Sequence, residues 1–278
     1  MSEPSAISLA DVAGTLVLIG AGKMGGALAQ GWLRLGLAPS RLAVVEPHPS
    51  QEIAGLAARG LRLNPALGQV RDAAALVIAV KPQNAAEIMP LLAAVGGAPL
   101  VLSIMAGRTL AFLAQGLGPQ APIVRAMPNT PAAIGRGITV AVANRHVAAA
   151  QRELAHRLLV ACGAVEWVED EALLDAVTAV SGSGPAYVFL LAEALAKAGT
   201  AAGLPADLAA RLARATVAGS GELLERSGIE AGVLRQNVTS PGGTTAAALE
   251  VLMSGEGLEP LMLDAVAAAT RRSRELAG

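Results

Sequence analysis

The hydrophobic positions of this 278-residue chain change rhythm near Glu169. Before it, short continuous apolar runs (Leu16 to Ile19, Arg41 to Val45, Ala74 to Val80, Leu100 to Ile104, Ile123 to Ala126) are separated by turns and amphipathic stretches. Such runs, alternating with helices, are what a parallel sheet covered on both faces requires. Helices are predicted over Gly26 to Leu35, Asn84 to Val95 and Val147 to Cys162, and Ile138 to Ala143 and Val165 to Val168 read as closing strands. After Glu169 come long Ala/Leu-rich segments of helical period: Tyr187 to Ala202, Asp207 to Glu225, Glu230 to Gln236, Gly243 to Met253 and Leu258 to Leu276. The first of these is apolar on nearly every face, relieved mainly by Glu193 and Lys197, and a helix apolar all round must be buried. A small helical domain rarely covers such a helix alone, so either a second subunit helps to bury it or its own chain encloses it.

Composition narrows the function classes. A net charge of −1 gives no excess of positive charge for nucleic acid, and 2% aromatics leave no stacking platform for bases. Apolar runs such as Ala73 to Val80 are too short to span a bilayer, so no membrane partner is expected. Cys162 is the only cysteine, which excludes an intrachain disulfide and makes a reducing, cytoplasmic setting the default. His48, His146 and His156 are scattered, with no pair at ligand spacing, so no metal is expected. Residues 1–14 carry Glu3 and Asp11 but no basic residue ahead of an apolar core; they read as a loose, flexible leader rather than a secretory signal.

Three stretches carry chemistry. Leu16 to Ile19 meets Gly20-Ala21-Gly22-Lys23-Met24-Gly25 and then a helical pattern, which is the strand, glycine turn and helix of a dinucleotide fingerprint. The first glycine allows the tight turn, the second lets a pyrophosphate approach the backbone, and the third lets helix and strand pack closely. The expected architecture is therefore an α/β, Rossmann-like dinucleotide-binding domain over residues 15–169 and an all-α domain over 170–278. Glu46 stands about twenty residues beyond Gly25, at the tip of the second strand; there an acid accepts from the adenosine ribose hydroxyls and favours NAD, or is simply a solvated loop residue. Nearby His48 and Arg59 are able to soften discrimination against a 2′-phosphate. Val80-Lys81-Pro82 and Ile104-Met105-Ala106 sit at carboxyl ends of strands, where ligands bind in such sheets. Met127-Pro128-Asn129-Thr130-Pro131 is either a rigid turn or a loop that offers Asn129 and Thr130 to cofactor or substrate. Last, Asn237-Val-Thr-Ser-Pro-Gly-Gly-Thr-Thr245 runs into a helix. Its hydroxyls and open N–H groups suit a small carboxylate, or merely cap the helix.

With Val80-Lys81-Pro82-Gln83, Met127-Pro128-Asn129-Thr130-Pro131, Ser181-Gly182-Ser183-Gly184-Pro185-Ala186-Tyr187 and Ser240-Pro241-Gly242-Gly243-Thr244-Thr245 in this order behind the glycine turn, the chain resembles the pyrroline-5-carboxylate reductases over nearly its whole length. The Ser-Pro-Gly-Gly-Thr-Thr element is specific to that family. The resemblance implies reduction of 1-pyrroline-5-carboxylate to L-proline with NADPH or NADH, the last step of proline synthesis. It also implies a dimer interleaved through the C-terminal helices, often built into a ring of dimers. On this resemblance the dinucleotide residues are Ile19, Gly20, Ala21, Gly22, Lys23, Met24 and Gly25, with Glu46, Asn64, Ala79, Val80, Lys81, Pro82, Ile104, Met105, Ala106 and Asn129. The substrate residues are Glu171, Asn237, Ser240, Gly243, Thr244 and Thr245, with Thr245 orienting the ring nitrogen as the catalytic group; the site is composite, its turn coming from the second subunit. Glu46 departs from the small hydroxyl residue that relatives often carry there, which tilts the expectation towards NADH. The turn holds no His, Cys or Lys. A protonated cyclic imine is already electrophilic, so alignment matters more than proton donation. Two other readings stand beside this one: a dehydrogenase of the β-hydroxyacid type, and a non-catalytic dinucleotide-binding protein.

Overall fold

The computed structural model describes residues 7–92 and 95–277. Alternation within the first apolar run decides the core. In β1 (Thr15–Ile19), Leu16 and Leu18 enter one apolar cluster while Val17 and Ile19 enter the other, so all five residues are buried. The same two-sided burial runs through β2 (Leu42–Val45), β4 (Ala73–Ile78), β5 (Leu100–Ser103) and β6 (Ile123–Met127), with β3 (Arg62–Leu63) as a short edge. The order is β3-β2-β1-β4-β5-β6-β7-β8, with β7 at Gly137–Ala143 and β8 at Gly163–Trp167. Every neighbouring pair is parallel except β6 and β7, which are antiparallel. The expected parallel sheet therefore holds up to β6, and the closing strands enter against its direction.

Helices cover both faces. On one face α1 (Lys23–Arg34) and α5 (Ala149–Val160) bring Leu28, Trp32, Ala155, Leu158 and Leu159 onto the sheet, and the Trp32 indole N–H donates to the Leu158 carbonyl at 2.8 Å. On the other, α3 (Ala85–Leu92) and α4 (Leu110–Leu117) bring Ala85, Met89, Leu92 and Leu113. Elements outside the sequence-based expectation include β3, α2 (Gln51–Gly55) and α4, whose N-terminus is capped by Thr109 accepting from Phe112 N–H at 3.1 Å. Of the helix expected over Asn84 to Val95, Ala93 and Ala94 lie outside the described residues.

The loose leader is corrected in part. Residues 1–6 lie outside the described residues, but Leu9 and Val12 are buried in the α1/α5 cluster. Leu9 N–H donates to Leu35 O at 2.7 Å, and Arg157 binds both the Ser8 carbonyl and Asp11. Two apolar side chains three apart gave this segment something to bury.

The chain divides into two compact units, one running to Gly182 and resumed at Thr270, the other Ser183–Ala269. This differs from the expected boundary at Glu169, because α6 (Leu173–Val177) and a π-helical turn at Thr178–Gly182 still belong to the first unit. The second unit holds α7 (Gly184–Ala201), α8 (Ala206–Ser227), α9 (Ala231–Asn237), α10 (Thr244–Leu252) and most of α11 (Leu258–Ala277). Among its described residues only Ala209 and Ala213 are buried apolar ones. Phe189, Leu190 and Leu191 on α7, Leu223 on α8, Val251 on α10 and Leu261 and Leu263 on α11 are all more than half exposed. By length and composition alone the helical stretch Leu173–Ala201 is long and apolar enough to cross a membrane, which corrects the view that every apolar run is too short. Yet α8, α10 and α11 fail that test and expose the same kind of side chain.

Cys162, 1% exposed behind α5, has its thiol pushed up to about 11 by burial. The unfolded thiol ionises near its ordinary 9.0, so the folded form holds the proton longer and loses stability as pH rises from 9 towards 11. A disulfide reagent at pH 8 is expected to leave the native thiol unmodified and to label it promptly in denaturant. Labelling of the native protein at the denatured rate would contradict this burial.

Candidate active site

The glycine turn is shaped by close approaches. Gly20 has φ +90, its N–H donates to Val45 O at 2.8 Å, and a Cβ there would stand 2.8 Å from the Ala79 carbonyl. A Cβ on Gly25 would strike the Gly20 carbonyl, so α1 packs on β1 only with glycine at that position. Gly22 differs: beyond its own neighbours in the chain, no protein atom lies within 4 Å of where its Cβ would be. Gly22 is also the N-cap of α1, with no capping side chain and no acidic residue in the first turn. The first backbone bond is Gly26 N–H to Gly22 O at 2.7 Å, which leaves the N–H groups of Lys23, Met24 and Gly25 without intrahelical acceptors. An open concavity with free N–H groups at the positive end of a twelve-residue helix fits a pyrophosphate.

The strand ends complete this cleft. Ala79 N–H donates to Ile19 O at 2.8 Å and Ile104 N–H to Ile78 O at 3.0 Å, which aligns the ends of β1, β4 and β5. A cleft of ≈ 630 Å³ follows, lined by Gly22, Lys23, Met24, Ala79, Val80, Lys81, Pro82, Ile104 and Ala106, together with Met127 and Pro128. Nine of the sequence-predicted dinucleotide residues thus meet at one place. Met127 and Pro128 were read as part of a loop but not as lining, since nothing local says which way a strand end points. Arg108 was also missed; its guanidinium donates to the Pro82 carbonyl at 3.1 and 3.3 Å and lies 4.7 Å over the Phe112 ring, fixing the Lys81–Pro82 turn.

Other predicted residues have side chains engaged elsewhere. The Met105 side chain is 1% exposed in the core, and Ile19 is likewise buried, so neither offers a side chain to a ligand. Asn129 is committed: its Oδ1 accepts from Ile138 N–H at 3.0 Å and its Nδ2 donates to Ser181 Oγ at 3.2 Å. Asn64 spends its amide on the Glu46 peptide, and Glu46 in turn accepts from Ala21 N–H at 2.8 Å. Glu171 pairs with Arg125 at 2.7 Å, whose side chain is 6% exposed, and accepts from Leu110 N–H at 2.8 Å at the head of α4. Both donors meet Oε1, so the Glu171 carboxylate is held in an ion pair with a buried guanidinium.

The late turn leaves backbone donors open. Gly242 takes φ +69, Gly243 N–H donates to Ser240 O at 3.0 Å, and a Cβ on Gly243 would lie 2.5 Å from Ser240 Oγ. Gly243 is the N-cap of α10, again with no capping side chain and no acid in the first turn. Because Ala247 N–H is the first to bond back to Gly243, the N–H groups of Thr244, Thr245 and Ala246 remain open. Ser240, Thr244 and Asn237 are exposed and Thr245 half-buried, close together around the head of α10 and the end of α9. Thr239, by contrast, bonds back to Arg235 O at 2.6 Å and serves the end of α9.

Known proteins share both halves. Residues 171–276 match the model of the pyrroline-5-carboxylate reductase dimerisation domain, and residues 15–107 match that of the NADP oxidoreductases, coenzyme F420-dependent. A pyrroline-5-carboxylate reductase of Pseudomonas aeruginosa is 42% identical over 94% of this chain and 96% of its own. The solved reductase of Coxiella burnetii superposes with TM-score 0.85 at 34% identity, covering 95% of this chain and 99% of that one. The Plasmodium falciparum enzyme, solved with NADP bound, gives 0.80 at 29% identity over 95% and 98%. With that identity maintained over nearly the full length of both chains, and with a dinucleotide cradle ahead of the hydroxylated turn, this chain belongs to the pyrroline-5-carboxylate reductase family.

Proposed function

We propose that the chain reduces 1-pyrroline-5-carboxylate to L-proline with NADPH or NADH, the final step of proline biosynthesis, in a cytoplasmic setting suited to its lone thiol. The observation that carries this reading is the head of α10, whose open N–H groups and hydroxyls have no partner in the turn and no acid beside them. When bound, the dinucleotide supplies the hydride. The backbone of Gly22, Lys23 and Met24 holds its pyrophosphate, and Val80 to Pro82 with Ile104 and Ala106 line the nicotinamide end. Thr244, Thr245 and Ala246 N–H groups, with Ser240 Oγ, grip the substrate carboxylate; Asn237 flanks it, and Thr245 Oγ accepts from the ring N–H. No general acid is needed, since the imine enters protonated and orientation lowers the barrier.

The exposed apolar side chains of α7, α8, α10 and α11 are covered by a second copy, interleaved so that the turn of one subunit serves the cradle of the other. Rings assembled from such dimers are the larger form this family resemblance implies. A dehydrogenase of the β-hydroxyacid type works on an alcohol and needs a lysine on the interdomain helix to move its proton, whereas Lys197 lies more than three turns along that helix from Pro185, with Glu193 four residues away.

Oxidation of reduced nicotinamide by pyrroline carboxylate, followed at its absorbance band, is expected, and reduction of the oxidised dinucleotide by hydroxy acids is not; the reverse pair of outcomes would overturn the assignment. Thr245→Ala is expected to lower kcat by about ten- to a hundredfold, while the dinucleotide Kd measured by calorimetry stays within about twofold. Parallel loss of both would make Thr245 a structural residue. Glu171→Gln strips a buried guanidinium of its anion: a cost of about 2 kcal/mol or more in urea unfolding is expected, with KM for the imine unchanged. A raised KM at full stability would restore Glu171 to the substrate site.

A further inference from the structure

A carboxylate already occupies backbone donors that a phosphate on the adenosine ribose would need. Glu46 leaves the tip of β2 beside the glycine turn; Oε2 accepts from Ala21 N–H at 2.8 Å and Oε1 from His48 N–H at 3.1 Å. The two donors belong to the two loops that flank the ribose position in this fold, the β1–α1 turn and the segment after β2. The Glu46 peptide is itself clamped by Asn64: its N–H donates to Oδ1 at 2.8 Å and its carbonyl accepts from Nδ2 at 3.0 Å. Asn64 has φ +48, the only non-glycine residue in the left-handed region among the described residues, and its own N–H donates to Val44 O at 2.7 Å. A backbone conformation that most side chains avoid is thus maintained where it orients one carboxylate.

The consequence is selective. A carboxylate with each oxygen accepting one N–H retains lone pairs for ribose hydroxyls, which are donors. A 2′-phosphate is an acceptor carrying close to two negative charges; it meets a fixed anion at short range and finds the Ala21 and His48 N–H groups taken. We propose that Glu46 is a built-in anion that makes this chain select NADH over NADPH, and that Asn64 is its positioning residue. This deepens the reading of the dinucleotide cradle given above and rests on it.

Calorimetric binding of NADH and NADPH to the full-length protein, without imine, tests it. The parent is expected to bind NADH at least about tenfold more tightly than NADPH. Glu46→Ser is expected to erase or invert that ratio, mainly through tighter NADPH binding; Glu46→Gln, which keeps the shape, is expected to narrow it. Asn64→Gly keeps the left-handed backbone but removes the clamp, and is expected to narrow the ratio at unchanged melting temperature. The inference is overturned if the parent binds both dinucleotides equally or prefers NADPH, or if the ratio stays within about twofold in the Glu46 variant that folds as the parent does. Binding needs no turnover, so failure here leaves the proposed reaction standing. Tight NADH binding without imine reduction would sink the reaction and leave this inference intact.

Discussion

The constraint on which the molecule depends is that its helical unit lacks a core of its own. Two buried alanines on α8 are all that Ser183–Ala269 hides among its described apolar residues, while leucines, a phenylalanine and valines on four helices stand in solvent. Each such side chain gains about 1.5–3 kcal/mol on full burial, so the isolated unit forgoes much of what stabilises an ordinary domain. Self-association supplies that surface, and in an obligate dimer folding and assembly are one equilibrium. Function follows from the same deficit. On the proposed reading, a turn borne on such helices meets its cradle in a second copy.

The first unit solves a different problem, bringing charged phosphates close to a backbone without buried unpaired groups. It does so by removing side chains. Gly20 and Gly25 let β1 and α1 approach to contact, and Gly22 leaves an open hollow in front of free N–H groups. The head of α10 repeats the device with Gly242 and Gly243, adding hydroxyls where the cradle has none. Two helix N-termini are thus left uncapped by side chains.

What was legible in the sequence was local. Strands buried on both faces leave continuous apolar runs, so β1, β2, β4, β5 and β6 could be placed. Strand direction leaves no such trace, and the antiparallel entry of β7 could not be read from Ile138 to Ala143. Two-residue β3 and five-residue α2 are too short for any periodicity, whereas α4 had a usable signal in Thr109 ahead of an apolar run. The glycine turn and the late turn are each contiguous in sequence, so each is legible as a local pattern. Glu171 and Asn64 were assigned to ligands because their partners, Arg125 and the Glu46 peptide, are remote in sequence and meet them only through the sheet. A carboxylate's role depends on which donor reaches it first, and that is a tertiary fact.

The most direct test of the account is complementation between two impaired chains. Thr245→Ala damages only the turn, and Gly22→Val fills only the hollow of the cradle, where no protein atom beyond its own chain neighbours stands within 4 Å of the added carbon. After the two are unfolded together and refolded as a mixture, half the dimers are mixed and each has one intact pairing of cradle and turn, so about a quarter of parental activity should return. Activity no higher than the sum of the two separate variants, in a mixture shown to contain mixed dimers, would contradict a site shared between subunits.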